Sequence, residues 1–429
     1  MDVRLNLFQS TMLCWRDLYP YSAVHVVQVR SPLDAARLDR VTSLYLAQLG
    51  FNSLDLDRRR RRYAWREDAE AVNVRLVAGA GDALAVVRKE IERQLNTAFP
   101  RDGHIHPFRF FAVDAGSEFH LGVAYDHFIA AGDSIARLLA DIVVRYAGAP
   151  RTPVERMDPP TIGYARLFRR QAVPLVKGLA TVPAIMLRNR RSFRPRLVVP
   201  EDGRNAFVSF RLDENDDATM RRVAQQWNAT RNDLFIALLL KALSPLAIGR
   251  RRTERRTRLA VASIVNIRRD FGPGAGHALG PMLASFQIAH PVPDGIDMRT
   301  LVEAISRETS RIKRDKLYLQ TLLALPIAGI RWRFLSPQRR YRFFARHHPV
   351  WAGTTPMNVT SLWAEAGLPG PPPEYVRGVS TGPHTPMVVA LSSSGAVTHA
   401  GISYRTTVFD HSAVERVVSD IMSGIRNLR

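Results

Sequence analysis

The chain has 429 residues, a formal net charge of +22 and a hydrophobic share of 46%. Its length predicts two domains or two lobes rather than one small core. The single cysteine, Cys14, excludes an internal disulfide framework and cysteine-rich zinc sites, and we expect no metal. There is no signal-peptide core, and no apolar run approaches the roughly eighteen residues of a membrane span. The cytoplasm is therefore the expected compartment, with attachment to the inner face of a membrane as an alternative.

Arginine clusters carry most of the positive charge, and they lie at 58–62, 188–196, 250–256 and 339–340. Such a balance favours anionic partners: coenzyme A phosphates, an acidic acyl carrier protein or an anionic membrane surface. No zinc-finger, helix-turn-helix or RNA-recognition signature accompanies the clusters, so we do not expect nucleic-acid binding. A solvated arginine-rich surface without a partner remains the alternative to a binding patch.

The first half of the chain alternates between strand and helix patterns. The periodicity predicts a strand at 24–29, a helix at 34–49, a basic hairpin at 56–76, a helix at 83–95, paired strands at 108–113 and 118–125, and a helix at 135–146. A proline-rich stretch at 150–160 predicts a boundary. Residues 162–187 are apolar with scattered arginines, and form either a broken helix that crosses between the lobes or an amphipathic surface helix that touches lipid.

The second half repeats this alternation. We predict strands at 206–212, 259–265, 357–362, 387–392 and 396–404, an apolar segment at 282–290, and helices at 213–227, 234–246, 301–316 and 411–428. A glycine-rich stretch at 272–280 lacks the Lys-Ser/Thr of a phosphate loop and predicts a flexible loop. The expected organisation is an α/β fold with an N-terminal lobe at 1–160, a crossover segment at 161–204 and a C-terminal lobe at 205–429.

One histidine stands where a strand pattern ends and a helix pattern begins. His127 follows the apolar run 120–125, and Gly132 allows the backbone of the turn to approach a ligand closely. A neutral imidazole at this place suits general base catalysis, in which it takes a proton from an alcohol or amine that attacks a carbonyl. Packing of His127 in the core is the alternative that the residues alone leave open.

The stretch 125–134 resembles the active-site signature of the chloramphenicol acetyltransferase-like superfamily, whose pattern is His-His-x-x-x-Asp-Gly. His127 and Gly132 match it, whereas Asp126 and Ala131 replace the first histidine and the aspartate. The residues at 95–99 and 107–111 resemble the region before this motif in nonribosomal peptide condensation domains. Asn232-Asp233 resembles a motif of bacterial wax ester synthases, and Asn266-x-Arg268 and Asn358 resemble later segments of related acyltransferases.

The resemblance implies a two-lobed chloramphenicol acetyltransferase-like fold, each lobe a mixed sheet with flanking helices, and a tunnel at the lobe interface. It implies that His127 is the general base and that the tunnel is lined by the residues Asn232, Asp233, Asn266 and Asn358. The family aspartate pairs with an arginine across the lobes, for which Arg268 is the natural candidate here. Because Ala131 cannot form that pair, we expect Asp133 or Asp126 to pair with Arg268.

The function implied is acyl transfer from a coenzyme A or carrier-protein thioester to a small-molecule alcohol or amine, in lipid or secondary metabolism. Ester formation is favoured over amide formation because of the wax ester synthase-like features. The thioester is a substrate, and no bound cofactor is expected. The alternative is a noncatalytic relative that binds a carrier protein or an acyl ligand, because the motif aspartate is missing.

Overall fold

The computed structural model describes residues 2–66, 72–79, 81–149, 164–248, 255–272, 275, 278–291 and 295–428. The predicted boundary at 150–160 and parts of the 250–256 and 272–280 stretches lie outside these residues. In the part of the chain that is described, no helix has the length and apolar character needed to cross a membrane.

The strands are β1 (Asp2–Arg4), β2 (Ser22–Val29), β3 (Ser53–Asp57), β4 (Arg62–Arg66), β5 (Arg75–Val77), β6 (Gly103–Ile105), β7 (Phe108–Asp114), β8 (Phe119–Asp126), β9 (Asn205–Leu212), β10 (Arg258–Asn266), β11 (Leu283–Pro291), β12 (Ala352–Asn358), β13 (Tyr375–Val379), β14 (Met387–Ser394) and β15 (Val397–Arg405). The helices are α1 (Leu7–Arg16), α2 (Ala35–Leu49), α3 (Ala83–Asn96), α4 (Gly132–Ala147), α5 (Tyr164–Arg170), α6 (Ala172–Arg191), α7 (Glu214–Gln226), α8 (Arg231–Ile248), α9 (Arg268–Phe271), α10 (Met298–Arg314), α11 (Gln320–Arg333), α12 (Pro337–His347), α13 (Thr360–Ala366) and α14 (His411–Arg426), with a 3-10 helix at Leu317–Leu319.

The first half of the chain is organised around a five-stranded sheet of order β13-β2-β8-β7-β5. Every residue of β8 is buried, which explains why its sequence is apolar almost throughout rather than alternating. Helix α4 packs against this sheet, and an apolar cluster that includes Ile135, Leu139 and Ile142 fills the layer between them. Strand β8 ends at Asp126, so the chain turns through His127 before α4 begins at Gly132.

Strand β13 comes from the second half of the chain but pairs antiparallel with β2 in this sheet. Its register places Arg377 opposite His25, although the two residues are far apart in sequence. The carboxy-terminal half therefore contributes directly to the sheet that carries His127.

A six-stranded sheet of order β11-β10-β12-β14-β15-β9 organises the second half, and a small sheet of order β1-β4-β3-β6 lies in the first half. Strands β10, β12 and β14 pair in parallel, and the outer pairs are antiparallel. Helix α8 is apolar on nearly every side and buried because α10 and α14 cover it.

The predicted α/β class is confirmed, with two local differences. The strand predicted at 357–362 lies earlier, as β12, because Asn358 ends it and its side chain accepts a hydrogen bond from the Thr360 backbone at the start of α13. The predicted basic hairpin is also shifted toward the amino terminus, as β3 and β4. The α-helices and strands without a counterpart among the predicted elements are helices α1, α9, α11 and α12 and strands β1, β6 and β13.

Candidate functional site

His127 is held at the end of β8 by the backbone and by aromatic side chains. The backbone N–H of His127 donates to the Tyr21 carbonyl at 3.3 Å. The imidazole stacks on the Tyr21 ring at a centroid distance of 5.4 Å and meets the Tyr125 ring edge-on at 5.7 Å. Only 8% of His127 is exposed, so the ring is fixed in orientation and largely shielded from water.

One hydrogen bond defines which nitrogen of His127 is free. Nδ1 lies 3.2 Å from the Ala130 carbonyl oxygen, which can only accept, so Nδ1 carries the proton when the ring is neutral. Nε2 then carries a lone pair, and it has no hydrogen-bond partner among the described residues. Burial lowers the pKa of His127, and the positive charge of Arg377 adds to that lowering, although the Ala130 carbonyl opposes it. The neutral ring is thus the favoured form near pH 7.

The side chain of Asp126 forms a buried ion pair with an arginine. Its carboxylate pairs with Arg16 of α1, and both side chains are almost fully buried. Burial raises the pKa of Asp126 to about 6, with the Arg16 charge opposing the rise. The pair ties α1 to the end of β8, directly before His127.

Arg268, at the start of α9, pairs with Asp133 in the first turn of α4. The Arg268 Nε lies 2.5 Å from Asp133 Oδ2, and Nη2 lies 3.2 Å from Oδ1. Asn266 joins the pair, since its amide donates to Asp133 Oδ2 at 2.9 Å and its own Oδ1 accepts from the Arg268 backbone at 3.0 Å. Of the two carboxylates considered from the sequence, Asp133 is therefore the partner, two residues after Ala131.

The rest of the Arg268 guanidinium is satisfied by neutral oxygens. Nη1 donates to the carbonyls of Ala275 and Ala278, and Nη2 donates to the Gly280 carbonyl at 3.1 Å and to Ser134 Oγ at 2.8 Å. The described residues of the glycine-rich stretch at 272–280 thus wrap around Arg268. Because only 6% of Arg268 is exposed, this arrangement fixes the second half of the chain against the amino-terminal end of α4.

A second histidine, which the sequence pattern did not single out, lies beside this turn. His25 on β2 is fully buried, and its Nδ1 is 2.8 Å from the Tyr375 hydroxyl while its Nε2 is 3.4 Å from the Tyr125 hydroxyl. Burial holds the pKa of His25 well below its ordinary value, and the charge of Arg377 contributes. A polar residue inside the apolar run at 24–29 was the only sequence signal for it.

Arg377 on β13 is also buried beside this turn, with 3% of its surface exposed. Nε donates to Ser392 Oγ at 2.8 Å, and Nη2 donates to the carbonyls of Thr355 and Leu391 at 2.6 and 2.7 Å. No carboxylate pairs with it in the part of the chain that the structure describes. Burial lowers its pKa to about 10, which leaves it positively charged near pH 7. A buried cation with only neutral partners raises the local affinity for negative charge.

Gly132 allows α4 to approach these two residues. A Cβ atom at this position would lie 3.2 Å from His25 Cε1, which is tighter than ordinary contact, and 3.4 Å from Arg377 Nη1. We expect Gly132→Ala to lower the free energy of unfolding by about 1–3 kcal/mol, measured by urea denaturation. Gly329→Ala in α11 is the matched control, since a Cβ there meets nothing within 4 Å. A neutral or stabilising effect of Gly132→Ala would contradict this close approach.

Two of the predicted tunnel residues line one cavity of about 340 Å³ in the second half of the chain. Asn232 and Asn358 lie in its wall with Pro356 and Leu391. Oδ1 of Asn232 is buried and has no hydrogen-bond partner among the described residues. Nη2 of Arg377 donates to the carbonyls of Thr355 and Leu391, and Leu391 lines this cavity.

The other two predicted tunnel residues have structural partners. Asp233 is buried at the start of α8, where its oxygens accept from the Thr230 backbone and hydroxyl and from the Thr309 hydroxyl. It is not among the residues that line the cavity. Asn266 instead forms hydrogen bonds with Asp133 and with the Arg268 backbone.

No family model and no curated protein matches the sequence. Among solved structures, the first condensation domain of the calcium-dependent antibiotic synthetase in complex with a substrate analogue is similar with a TM-score of 0.72. The alignment covers 100% of this chain and 97% of that one at 15% identity. The chain has the condensation-domain fold.

Two further solved domains share this fold with the chain. The condensation domain of a monacolin K polyketide synthase is similar with a TM-score of 0.67, covering 99% of this chain and 96% of that one at 12% identity. The epimerization domain from the third module of tyrocidine synthetase B also has a TM-score of 0.67, with 100% and 96% covered at 11% identity. The two-lobed chloramphenicol acetyltransferase-like fold predicted from the sequence is confirmed. Because domains named for condensation and for epimerization share this fold, the fold alone does not define an activity.

Proposed function

We propose that this protein is an acyltransferase that moves an acyl group from a thioester to an alcohol or amine, with His127 as the general base. The observation that carries the proposal is the Nδ1 contact with the Ala130 carbonyl, which leaves a free lone pair on Nε2. A base must be neutral and must present that lone pair to the proton it abstracts. The likeness to condensation and epimerization domains supports a reaction on carrier-bound substrates.

In the proposed step, the acceptor hydroxyl or amine gives its proton to His127 Nε2 as its oxygen or nitrogen bonds to the thioester carbonyl carbon. The tetrahedral intermediate then collapses with cleavage of the carbon–sulfur bond. The leaving thiolate takes the proton back from His127, which restores the neutral ring. The thioester itself is the electrophile, so the step requires no nucleophile from the protein.

Negative charge that develops on the carbonyl oxygen would be stabilised by the positive charge of Arg377. The guanidinium is buried and lacks a carboxylate partner among the described residues, so its field is weakly screened. The first backbone N–H groups of α4 lie close to it, and Ala131 at the N-cap offers them no side-chain acceptor. This environment favours an anionic intermediate over a neutral ground state.

The cavity lined by Asn232 and Asn358, beside the six-stranded sheet, is the proposed location of part of the substrate. Its lining includes apolar residues such as Met357, Phe235 and Leu391, which suits an acyl chain or a pantetheine-like arm. The net charge of +22 favours an acidic carrier protein or the phosphates of coenzyme A as the donor's carrier. Ester formation in lipid or secondary metabolism remains our proposed reaction type.

The purified chain should be tested against acyl-coenzyme A and acyl-phosphopantetheinyl carrier donors with a panel of alcohols and amines. We expect acceptor-dependent release of free thiol, together with an ester or amide of matching mass. Binding of an acylated carrier without any acceptor-dependent thiol release would contradict catalysis and support the noncatalytic alternative.

The pH dependence of this transfer follows from the state of His127. Its pKa lies below the ordinary value of 6.5 because of burial, so the base is neutral above that pKa and inactive below it. The rate should therefore be constant near pH 7 and fall on an acid limb whose midpoint lies below pH 6.5. Arg377→Gln should move that midpoint upward, because the variant removes a charge that opposes protonation. An acid limb of the wild type centred above pH 7 would exclude His127 as the base.

A further inference from the structure

Helix α6 presents its apolar side outward. It buries Leu175, Gly178 and Asn189, whereas a helix on the surface of a globular protein normally buries its apolar stripe. The exposed large apolar residues of α6 are Val173, Val176, Leu179, Val182, Met186 and Leu187. They extend over about 20 Å of helix at 1.5 Å per residue. Such a continuous exposed apolar stripe marks an interaction surface.

A second exposed apolar segment belongs to α11, which contacts α6. Thr181 Oγ1 donates to Gln320 Oε1 at 2.7 Å, and Asn189 Nδ2 donates to the His347 carbonyl at the end of α12. Helix α6 therefore touches both the start of α11 and the end of α12. Among the described side chains of α11, the exposed large apolar ones are Ile327 and Ile330, and Phe334 directly after the helix is 85% exposed. We call α6, α11 and α12 the outer helices.

The sequence of the outer helices is strongly basic and contains no acid. No Asp or Glu occurs in residues 159–200 or in residues 316–364. Among the side chains of these helices that the structure describes, the exposed basic ones are Lys177, Arg190, Arg191, Arg331, Arg339, Arg342 and Arg346. Helices that carry apolar and basic side chains but no acidic ones complement an anionic partner that also accepts apolar side chains.

Two classes of partner have this chemistry, a folded acidic protein and an anionic membrane. The apolar side chains are strongly exposed, with Val173 and Ile327 each 68% exposed. Protruding apolar residues with Lys and Arg beside them are typical of helices that lie in the membrane interface. We propose that the outer helices dock on the surface of an anionic lipid bilayer.

The test uses the full chain and does not depend on catalysis. Sedimentation with vesicles of phosphatidylcholine alone, or mixed with an equal amount of phosphatidylglycerol, measures binding. We expect salt-sensitive binding to the anionic vesicles and at least tenfold weaker binding to neutral ones. Val176→Ser/Leu179→Ser/Met186→Ser should reduce anionic binding at least tenfold, and Arg190→Gln/Arg191→Gln about fivefold per arginine.

The matched control is Leu44→Ser/Leu76→Ser, since these residues are as exposed as Leu179 and Met186 but lie on α2 and β5. It should bind like the wild type. Equal binding to neutral and anionic vesicles, or unchanged binding of the triple variant, would overturn the proposal. Absence of vesicle binding would also overturn the proposal. In that case, a dimer in light scattering that the triple variant loses would indicate that a second copy covers the outer helices. Binding of an acyl carrier protein to the wild type but not to the triple variant would indicate a protein partner instead.

Discussion

Arg268→Met should lower the free energy of unfolding by about 3–5 kcal/mol, the cost typical of breaking a buried charge network. The guanidinium binds Asp133 and Ser134 on one side and the carbonyls of Ala275, Ala278 and Gly280 on the other. Methionine fills similar volume but donates no hydrogen bond, so the buried carbonyls lose their donors. Urea denaturation followed by circular dichroism measures the change.

The partner substitution should cost less. Asp133→Asn should lower the free energy of unfolding by about 1–2 kcal/mol, because the Asp133 side chain is 36% exposed and Arg268 keeps its neutral acceptors. Arg299→Met is the control, since the ion pair of Arg299 with Glu303 is exposed and should contribute less than about 1 kcal/mol. An effect of Asp133→Asn as large as that of Arg268→Met would show that the ion pair, rather than the carbonyl contacts, dominates.

His127→Gln should lower the rate of acceptor-dependent acyl transfer by about 10²–10⁴-fold, the usual contribution of a general base. Glutamine is close in size and can still reach the Ala130 carbonyl, but its amide cannot take up a proton near pH 7. Stopped-time assays of thiol release at saturating donor measure the effect. Because the stacking of Tyr21 on the His127 ring is the main structural role of the imidazole, unfolding should change by no more than about 2 kcal/mol.

His411→Gln is the matched control for that substitution. His411 begins α14, where it lies near the Tyr404 hydroxyl and the exposed Glu415. Its variant should retain the wild-type rate. A loss of rate in both variants would indicate a general effect of histidine replacement rather than loss of a base.

The strands that deliver His127 could be predicted from sequence because they are close in the chain. A polar turn at 114–117 separates two apolar runs, which become β7 and β8, and the glycine turn precedes a strongly periodic helix. The sequence left two carboxylates, Asp133 and Asp126, as candidates for the ion pair with Arg268. The choice depends on burial, since Asp126 faces Arg16 inside the first half, whereas Asp133 lies at the edge that the second half meets.

The surroundings of His127 could not be predicted because they depend on long-range register. Strand β13 has five residues, and nothing local indicates that it pairs with β2 across the chain. That pairing brings Arg377 beside His25 and adds a positive charge that contributes to the lowered pKa of His127. The tautomer of His127 likewise follows from a carbonyl position that only the folded turn defines. Helix α11 escaped prediction because its exposed apolar residues, Ile327 and Ile330, disturb the usual amphipathic pattern.

The most direct measurement is a single-turnover assay with an isotopically labelled acyl thioester, in which mass spectrometry follows the label into the acceptor. Wild-type protein should form the labelled ester or amide, and His127→Gln should form it at about one hundredth of that rate or less. The His411→Gln control should match the wild type. Transfer by His127→Gln at the wild-type rate would contradict the assignment of the base, and no transfer by the wild type to any alcohol or amine would contradict acyl transfer itself.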